Sequence, residues 1–333
     1  MPGFRFSVPY NGDFSLLKKL VEIKELNGNR IEDIYLPFPQ EYAGSGRIAR
    51  KITKDDVIKI IKFCQENGIE VSLALNFTCQ GIEEYKPEFV SRIIKLINFF
   101  HENGLDSVII ANPLYIQKIK RELPSIKVIA SAFSDIDCIN RAIFFEKLGA
   151  DVLTLNGLNR SPKVLKEIKE VVKCELKLMV NEGCIWKCPF RNFHNNFTSH
   201  TSREEKPSID FCAESCIHLR KLYPFLIITS DWILPQWLKY YKDITNHFKI
   251  VGRTMLTEWI LERAKNYLEE NFEGNLLELM ESAIPKFLNT YKIHINSFYF
   301  DEAFFRKVTS CNKNCFRCKF CEELAKKVIK TKT

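Results

Sequence analysis

Long apolar runs are missing from this 333-residue chain. No stretch approaches the roughly 20 residues that a membrane-spanning helix needs. The opening Met1-Pro-Gly-Phe-Arg-Phe lacks the apolar core of a signal peptide. The expectation is a cytoplasmic protein with no membrane partner. Glycine is scarce as well: only 13 residues, none of them in a G-x-G-x-x-G turn, which argues against a doubly wound dinucleotide fold. No G-x-S-x-G elbow and no H-E-x-x-H helix occur, so peptide hydrolysis lacks its usual serine and zinc signatures. RRM, KH and RGG signatures are absent too.

Cysteine, by contrast, is abundant, and eight of the twelve fall into two compact sets. Cys184, Cys188, Cys212 and Cys216 make two C-x3-C pairs separated by 23 residues. Cys311, Cys315, Cys318 and Cys321 make a C-x3-C-x2-C-x2-C run near the C-terminus. Four thiolates can share one tetrahedral zinc or take one corner each of a [4Fe–4S] cube. Disulfides are the blander use, but a chain this long and 46% hydrophobic buries a core without staples, which points to a reducing compartment. The C-x3-C spacing also differs from the C-x2-C of thioredoxin-like pairs. Zinc knuckles favour C-x2-C, and the wider loop suits a cube better, so a [4Fe–4S] cluster is expected at the first set. The second set resembles a reversed ferredoxin run, and both a second cluster and zinc stay open there. Its first three cysteines have the radical-SAM spacing, but far from the first strand that such a motif follows. Cys64, Cys138 and Cys174 fall in or beside apolar periodic segments and read as core residues; Cys79 is ambiguous.

Short β-branched runs alternate with amphipathic helical segments. Candidate strands are Arg5–Pro9, Asp33–Pro37, Glu70–Phe77, Ser107–Ala111, Lys127–Ala132, Val152–Asn156, Glu175–Asn181 and Phe248–Gly252, with a further run at Leu226–Ser230. Thr53 caps one helix and Pro87 opens another. Eight strand–helix units predict an α/β fold, a (β/α)8 TIM-type barrel over residues 1–255. Residues 256–333 form a helical, cysteine-rich extension, with helices expected over Glu258–Glu269 and Leu276–Leu288.

Barrels place chemistry at the C-terminal ends of their strands. Asn76, Asn112, Asn156 and Asn181 stand at the ends of the third, fourth, sixth and seventh strands. They predict a polar, largely uncharged pocket that hydrogen-bonds a ring compound or nucleobase. Asparagine also favours turns and helix caps, which is the alternative at each position. The first cysteine set starts three residues past the seventh strand, on the rim of the catalytic face. Glu182, Arg191 and His194 accompany it: Arg191 is suited to bind an anion or tune a cluster, His194 to move a proton or hydrogen-bond a sulfide.

Asn181–Arg191, then Thr229-Ser-Asp-Trp before a helix, then Phe248-Lys-Ile-Val-Gly-Arg253 together resemble the peptidase U32 family. Ala130-Ser-Ala-Phe and Gly149-Ala-Asp-Val fit its fifth and sixth units. Asp231 occupies the family's aspartate position. Lys249, Ile250, Gly252 and Arg253 match its last motif, where Val251 replaces a glutamate. Despite the family name, the resemblance implies enzymes that hydroxylate ubiquinone precursors or RNA without O2, drawing oxygen from prephenate. It implies a [4Fe–4S] cluster on Cys184, Cys188, Cys212 and Cys216, and it adds Asp231 and Arg253 to the catalytic candidates. The C-terminal quartet has no counterpart in that pattern. A net charge of +8, densest in the tail, keeps RNA open as a substrate beside a small ring compound. A homologous protein partner or an electron donor is also expected. Two other classes compete: an electron-transfer or partner-binding subunit, and a zinc-stabilised RNA-binding or hydrolytic protein.

Overall fold

The computed structural model describes residues 3–47, 49–203, 210–281 and 293–331. Eight parallel strands close on themselves: β1 (Arg5–Pro9), β2 (Asn29–Pro37), β3 (Glu70–Leu75), β4 (Ser107–Ile110), β5 (Lys127–Ala130), β6 (Val152–Leu155), β7 (Glu175–Met179) and β8 (His247–Lys249). Closure comes from β1, which pairs with β2 on one side and with β8 on the other, Arg5 opposite His247. The expected (β/α)8 barrel is therefore the fold. A two-residue strand, Glu25–Leu26, folds back antiparallel on β2.

Helices α1 (Phe14–Glu22), α2 (Lys54–Glu66), α3 (Pro87–Glu102), α4 (Pro113–Glu122), α5 (Ile139–Lys147) and α6 (Pro162–Val171) alternate with the strands. Their sequences explain their limits. Thr53 and Asp56 form a reciprocal capping box on α2, whose Val57, Ile60, Ile61 and Cys64 are buried one turn apart. Pro87 occupies the first turn of α3, where a missing N–H costs nothing. After β7 come α7 (Arg191–Thr201), α8 (Phe211–Leu222) and the short α9 (Phe225–Ile228). The run Leu226–Ser230, expected as a strand, is no strand: Leu226–Ile228 are helical and Thr229 and Ser230 turn away, because the four apolar residues Phe225–Ile228 fit a buried helical turn as well as a strand. Next, α10 (Thr257–Leu268) packs on α1 and β1, in the place of an eighth helix.

Beyond it lies α11 (Leu276–Leu279), shorter than the helix expected to reach Leu288, because Met280 is extended; residues from 282 lie outside the described residues. The tail carries α12 (Glu302–Ser310) and α13 (Phe320–Val328), and Lys330–Thr331 pairs antiparallel with Ile293–His294. Phe304 stacks parallel to Trp232, 6.1 Å between centroids, so the tail docks through aromatic faces onto the segment before β8.

The barrel interior is layered. Tyr35, Ala74, Ile109, Ile129 and Val152 form an apolar cluster separate from the main core. Nearer the strand N-termini sits a buried polar layer. There Lys177 Nζ donates to Ser7 Oγ at 2.7 Å, Ser72 Oγ donates to Asp33 at 2.7 Å, and His247 Nδ1 lies 2.7 Å from Glu175. Among the described residues no helix is long and apolar enough to cross a membrane. No cysteine is in a disulfide. Cys64 is buried as expected, but Cys138 is exposed: it precedes the first residue of α5 instead of lying on its inner face.

Candidate functional site

The loops following β2, β3, β7 and β8 enclose a small cavity at the barrel mouth, lined by Tyr35, Arg47, Asn76, Glu182, Lys249, Arg253 and Glu281 among others. The expectation of an uncharged pocket is overturned, because three cations and two carboxylates face this space. Arg253 is 5% exposed, donates to Ser45 Oγ at 3.1 Å, and leaves Nε and Nη1 without partners. Arg47 Nη1 is likewise buried without a partner. Lys249 Nζ stands 4.1 Å from the ring centre of Tyr35, whose hydroxyl donates to the Ile250 carbonyl at 2.9 Å. Burial, with Lys177 and Arg253 adding repulsion, pushes the Lys249 ammonium down to about 7. Burial also lowers Arg253 to about 10 and raises the Glu281 carboxyl. Unpaired buried N–H groups are costly, and an anion would satisfy these.

The four asparagines divide. Asn76 lines the mouth and accepts from Gly46 N–H at 2.9 Å, which fixes the loop carrying Arg47. Gly46 is required there, because a Cβ would sit 2.1 Å from the Phe133 ring. Asn156 donates to Asp135 at 2.7 Å beside a neighbouring cavity, its own Oδ1 unpartnered. Asn112 caps α4, accepting from Leu114 N–H at 3.0 Å. Asn181, wholly buried, stitches β7 to the residues after β8: it donates to Val251 O at 2.9 Å and accepts from Val251 N–H at 2.7 Å. The last two are structural.

The neighbouring cavity, about 230 Å³, is lined by Asp135, Asn156, Glu182, Cys184, Cys188, Arg191 and Asp231, with others. Arg191 forks between Asp135 (2.9 Å) and Glu182 (3.0 Å). Burial opposes its charge, but Glu182, Cys184 and Asp135 outweigh that and hold its pKa above the usual range. Asp231 accepts from Asn159 N–H at 3.1 Å, and its other oxygen has no partner. Burial pushes this carboxyl up to about 6.

Cys184, Cys188, Cys212 and Cys216 line a third, small chamber together with Arg47, Arg191 and His194. Cys212 and Cys216 are four residues apart on α8 and so share a face. Arg220, a further turn along, is fully buried; it donates to Cys216 Sγ at 2.8 Å and also to the Gly183 carbonyl. Asp210 caps α8 through Ala213 N–H at 2.9 Å and meets His194 Nε2 at 3.0 Å. The three cavities adjoin. Arg47 lines both the chamber and the mouth, Cys184, Cys188 and Arg191 line both the chamber and the second cavity, and Glu182 lines both the mouth and the second cavity. Among the described residues, no three His, Cys, Asp or Glu side chains gather tightly enough to hold a single metal ion. In the tail, Cys321 lies within electrostatic reach of Cys311, Cys315 and Cys318, Cys315 within reach of Cys311 and Cys318, and both Cys315 and Cys321 within reach of Arg160.

Sequence reasoning missed Arg47, Glu281 and Asp135, and it used Lys249 only as a motif match. Lys249 carried a signal, since a charge at an inward-facing position of a barrel strand has no solvent. Glu281 comes from beyond the barrel strands and carried none.

The family model "Peptidase family U32" matches residues 18–218. An uncharacterised protease of Methanocaldococcus jannaschii is 33% identical over 337 aligned positions, covering 98% of this chain and 99% of that one. Among solved structures, the U32 peptidase Mk0906 superposes with a TM-score of 0.57 at 20% identity, over 75% of this chain and 92% of that one. This last likeness concerns the fold.

Proposed function

This chain belongs to peptidase family U32, and from that premise we propose an enzyme that modifies a small, carboxylate-bearing ring compound beside a [4Fe–4S] centre. Cys184, Cys188, Cys212 and Cys216 would hold the centre. The observation that carries this reading is the adjoining of the cysteine chamber and the barrel mouth, with Arg47 in both walls. The donor set fits an anionic cluster: four thiols without disulfides line one chamber, and the guanidinium groups of Arg191 and Arg220 face cysteine sulfurs. When bound, such a centre supplies one-electron chemistry or a Lewis-acidic iron.

The remaining roles belong to the chain itself. Arg253 and Arg47 present unmet N–H donors to the substrate carboxylate, and Lys249, steered by Tyr35, adds a charge that comes and goes near neutral pH. Arg191 holds Glu182 at the boundary between the mouth and the second cavity. Asp231, with one free oxygen and a carboxyl near 6, is suited to give or take a proton. The resemblance to oxygen-independent hydroxylating members favours hydroxylation as the reaction and an external electron donor as the partner.

Anaerobic purification should give a brown protein with iron and sulfide in cluster proportion, and changing Cys184 and Cys188 to alanine should remove about four irons. Benzoate, as a minimal ring carboxylate, should bind and should lose at least tenfold in affinity on Arg253→Gln. A protein whose iron is indifferent to those cysteines, or benzoate binding indifferent to Arg253, refutes the proposal. A thiol-hydrolase reading has one observation in its favour, the His194–Asp210 pair beside the cysteines at 3.0 Å. Peptide cleavage by iron-free protein, abolished by iodoacetamide, would select it.

A further inference from the structure

The tail quartet lies outside the site described so far, and it is built into the molecule. Phe304 and Phe320 stack in line with Trp232, while Phe316 makes edge contacts with Tyr223 and Phe225 at 5.5 and 5.4 Å. These contacts seat the cysteine run against α9, which α13 also touches. Beneath it runs Arg160, from the loop after β6. Its guanidinium is buried, 5.1 Å from the Trp232 ring centre and 5.9 Å from that of Phe304, with one hydrogen bond to the Ile228 carbonyl. Its Nε has no partner. An arginine keeps its charge in any protein setting, so a buried guanidinium this poorly paired calls for a neighbouring anion. Its electrostatic neighbours are Asp231 on the barrel side and Cys321 and Cys315 on the tail side.

We propose that Cys311, Cys315, Cys318 and Cys321 form a second metal site, of [4Fe–4S] type, with Arg160 as its buried counter-charge. The four thiols are all free of disulfides and partly buried, and Cys321 lies within electrostatic reach of the other three. Four ligands within eleven residues can wrap one centre without rearranging the rest of the chain. A single zinc needs its sulfurs about 3.8 Å apart, given Zn–S bonds of about 2.3 Å in a tetrahedron. The C-x3-C that opens the run leaves a wider loop than the C-x2-C of a zinc knuckle. A cube binds each thiolate at a different iron and accepts a wider set. Arg160 lies within electrostatic reach of both the tail sulfurs and the Asp231 carboxylate that lines the second cavity. Charge added to the tail centre is therefore felt at the proposed active site.

The test uses full-length protein, purified or reconstituted anaerobically. About eight irons per chain are expected, falling to about four in Cys315→Ser/Cys318→Ser and to about four, from the other set, in Cys184→Ser/Cys188→Ser. Arg160→Met should move the midpoint potential of one of the two reduced EPR signals to more negative values, and Arg160→Lys should partly restore it. The signal that moves must be the one missing from the Cys315/Cys318 variant. Stoichiometric zinc in place of tail iron overturns the proposal, as does iron unchanged by the tail substitutions. Four irons lost only with the tail variant would uphold this site and remove the proposed function's own cluster, so the two readings fail separately.

Discussion

Lys249 shows how one residue's surroundings set a measurable behaviour. Buried against Tyr35, with Lys177 and Arg253 near and Asp33 only partly offsetting them, its ammonium sits near 7 where the unfolded chain's is about 10.4. A bound carboxylate favours the charged form and raises that value again. Ligand binding above about pH 7 must then take up a proton, and affinity must fall as pH rises from about 7 towards 10. Calorimetry of benzoate binding in two buffers of different ionisation enthalpy should reveal the uptake at pH 8, and Lys249→Met should abolish it. Binding with no proton uptake would mean that Lys249 does not face the ligand. The sequence offered this lysine inside a family-like motif together with Arg253; its depressed charge depends first on burial within the closed barrel and then on Lys177, remote in sequence, and so could not be read there.

At the scale of the element, asparagines that look alike in sequence do different work. Replacing Asn112 with alanine removes an N-cap and should cost about 1 kcal/mol of stability, with benzoate affinity unchanged. Asn181→Ala leaves both backbone groups of half-buried Val251 unmet beside the fully buried position 181, and the cost should be larger, about 2–3 kcal/mol. Urea unfolding of the two variants measures both, and a greater loss for Asn112 would contradict the assignment. Strand positions were legible because alternation and turn residues mark them: each of the eight barrel strands overlaps an expected run, though β2 begins four residues before Asp33 and β8 ends at Lys249, three residues short of Gly252. Leu226–Ser230 was not, because the unbroken apolar run Phe225–Ile228 that it belongs to carries no period. The roles of the asparagines were not legible either, because capping, stitching and pocket-lining ask for the same amide.

The whole barrel is held at its N-terminal end by charges removed from water. The Asp33 carboxyl is held far below its ordinary range: burial opposes this, but Lys177 and His247 outweigh it, and Glu175 is lowered to about 2 by His247 and Arg5 against the same burial. Both carboxyls bind protons less readily folded than unfolded, so their stabilisation is present above about pH 4 and is lost as pH falls towards 2. Thermal unfolding should show a steep loss of Tm across that window. Asp33→Asn strands Lys177 and should cost about 3–5 kcal/mol at neutral pH while flattening the acid slope; an unchanged slope would place the acid sensitivity elsewhere. Spacing alone singled out the cysteine sets, since thiols cluster in sequence. The cations of the mouth come from two distant stretches, Arg47 after β2 and Lys249 with Arg253 at and after β8, and only closure of the barrel unites them.

The pairing of Lys330–Thr331 with Ile293–His294 fastens the far end of the tail back to its beginning. With Phe304 and Phe316 seated on the barrel, the cysteine run is anchored before, within and after its ligands. Small zinc domains typically collapse when stripped, because their metal is their core. Here the scaffold comes first, so a chelated protein should keep its far-ultraviolet dichroism and regain its irons without refolding.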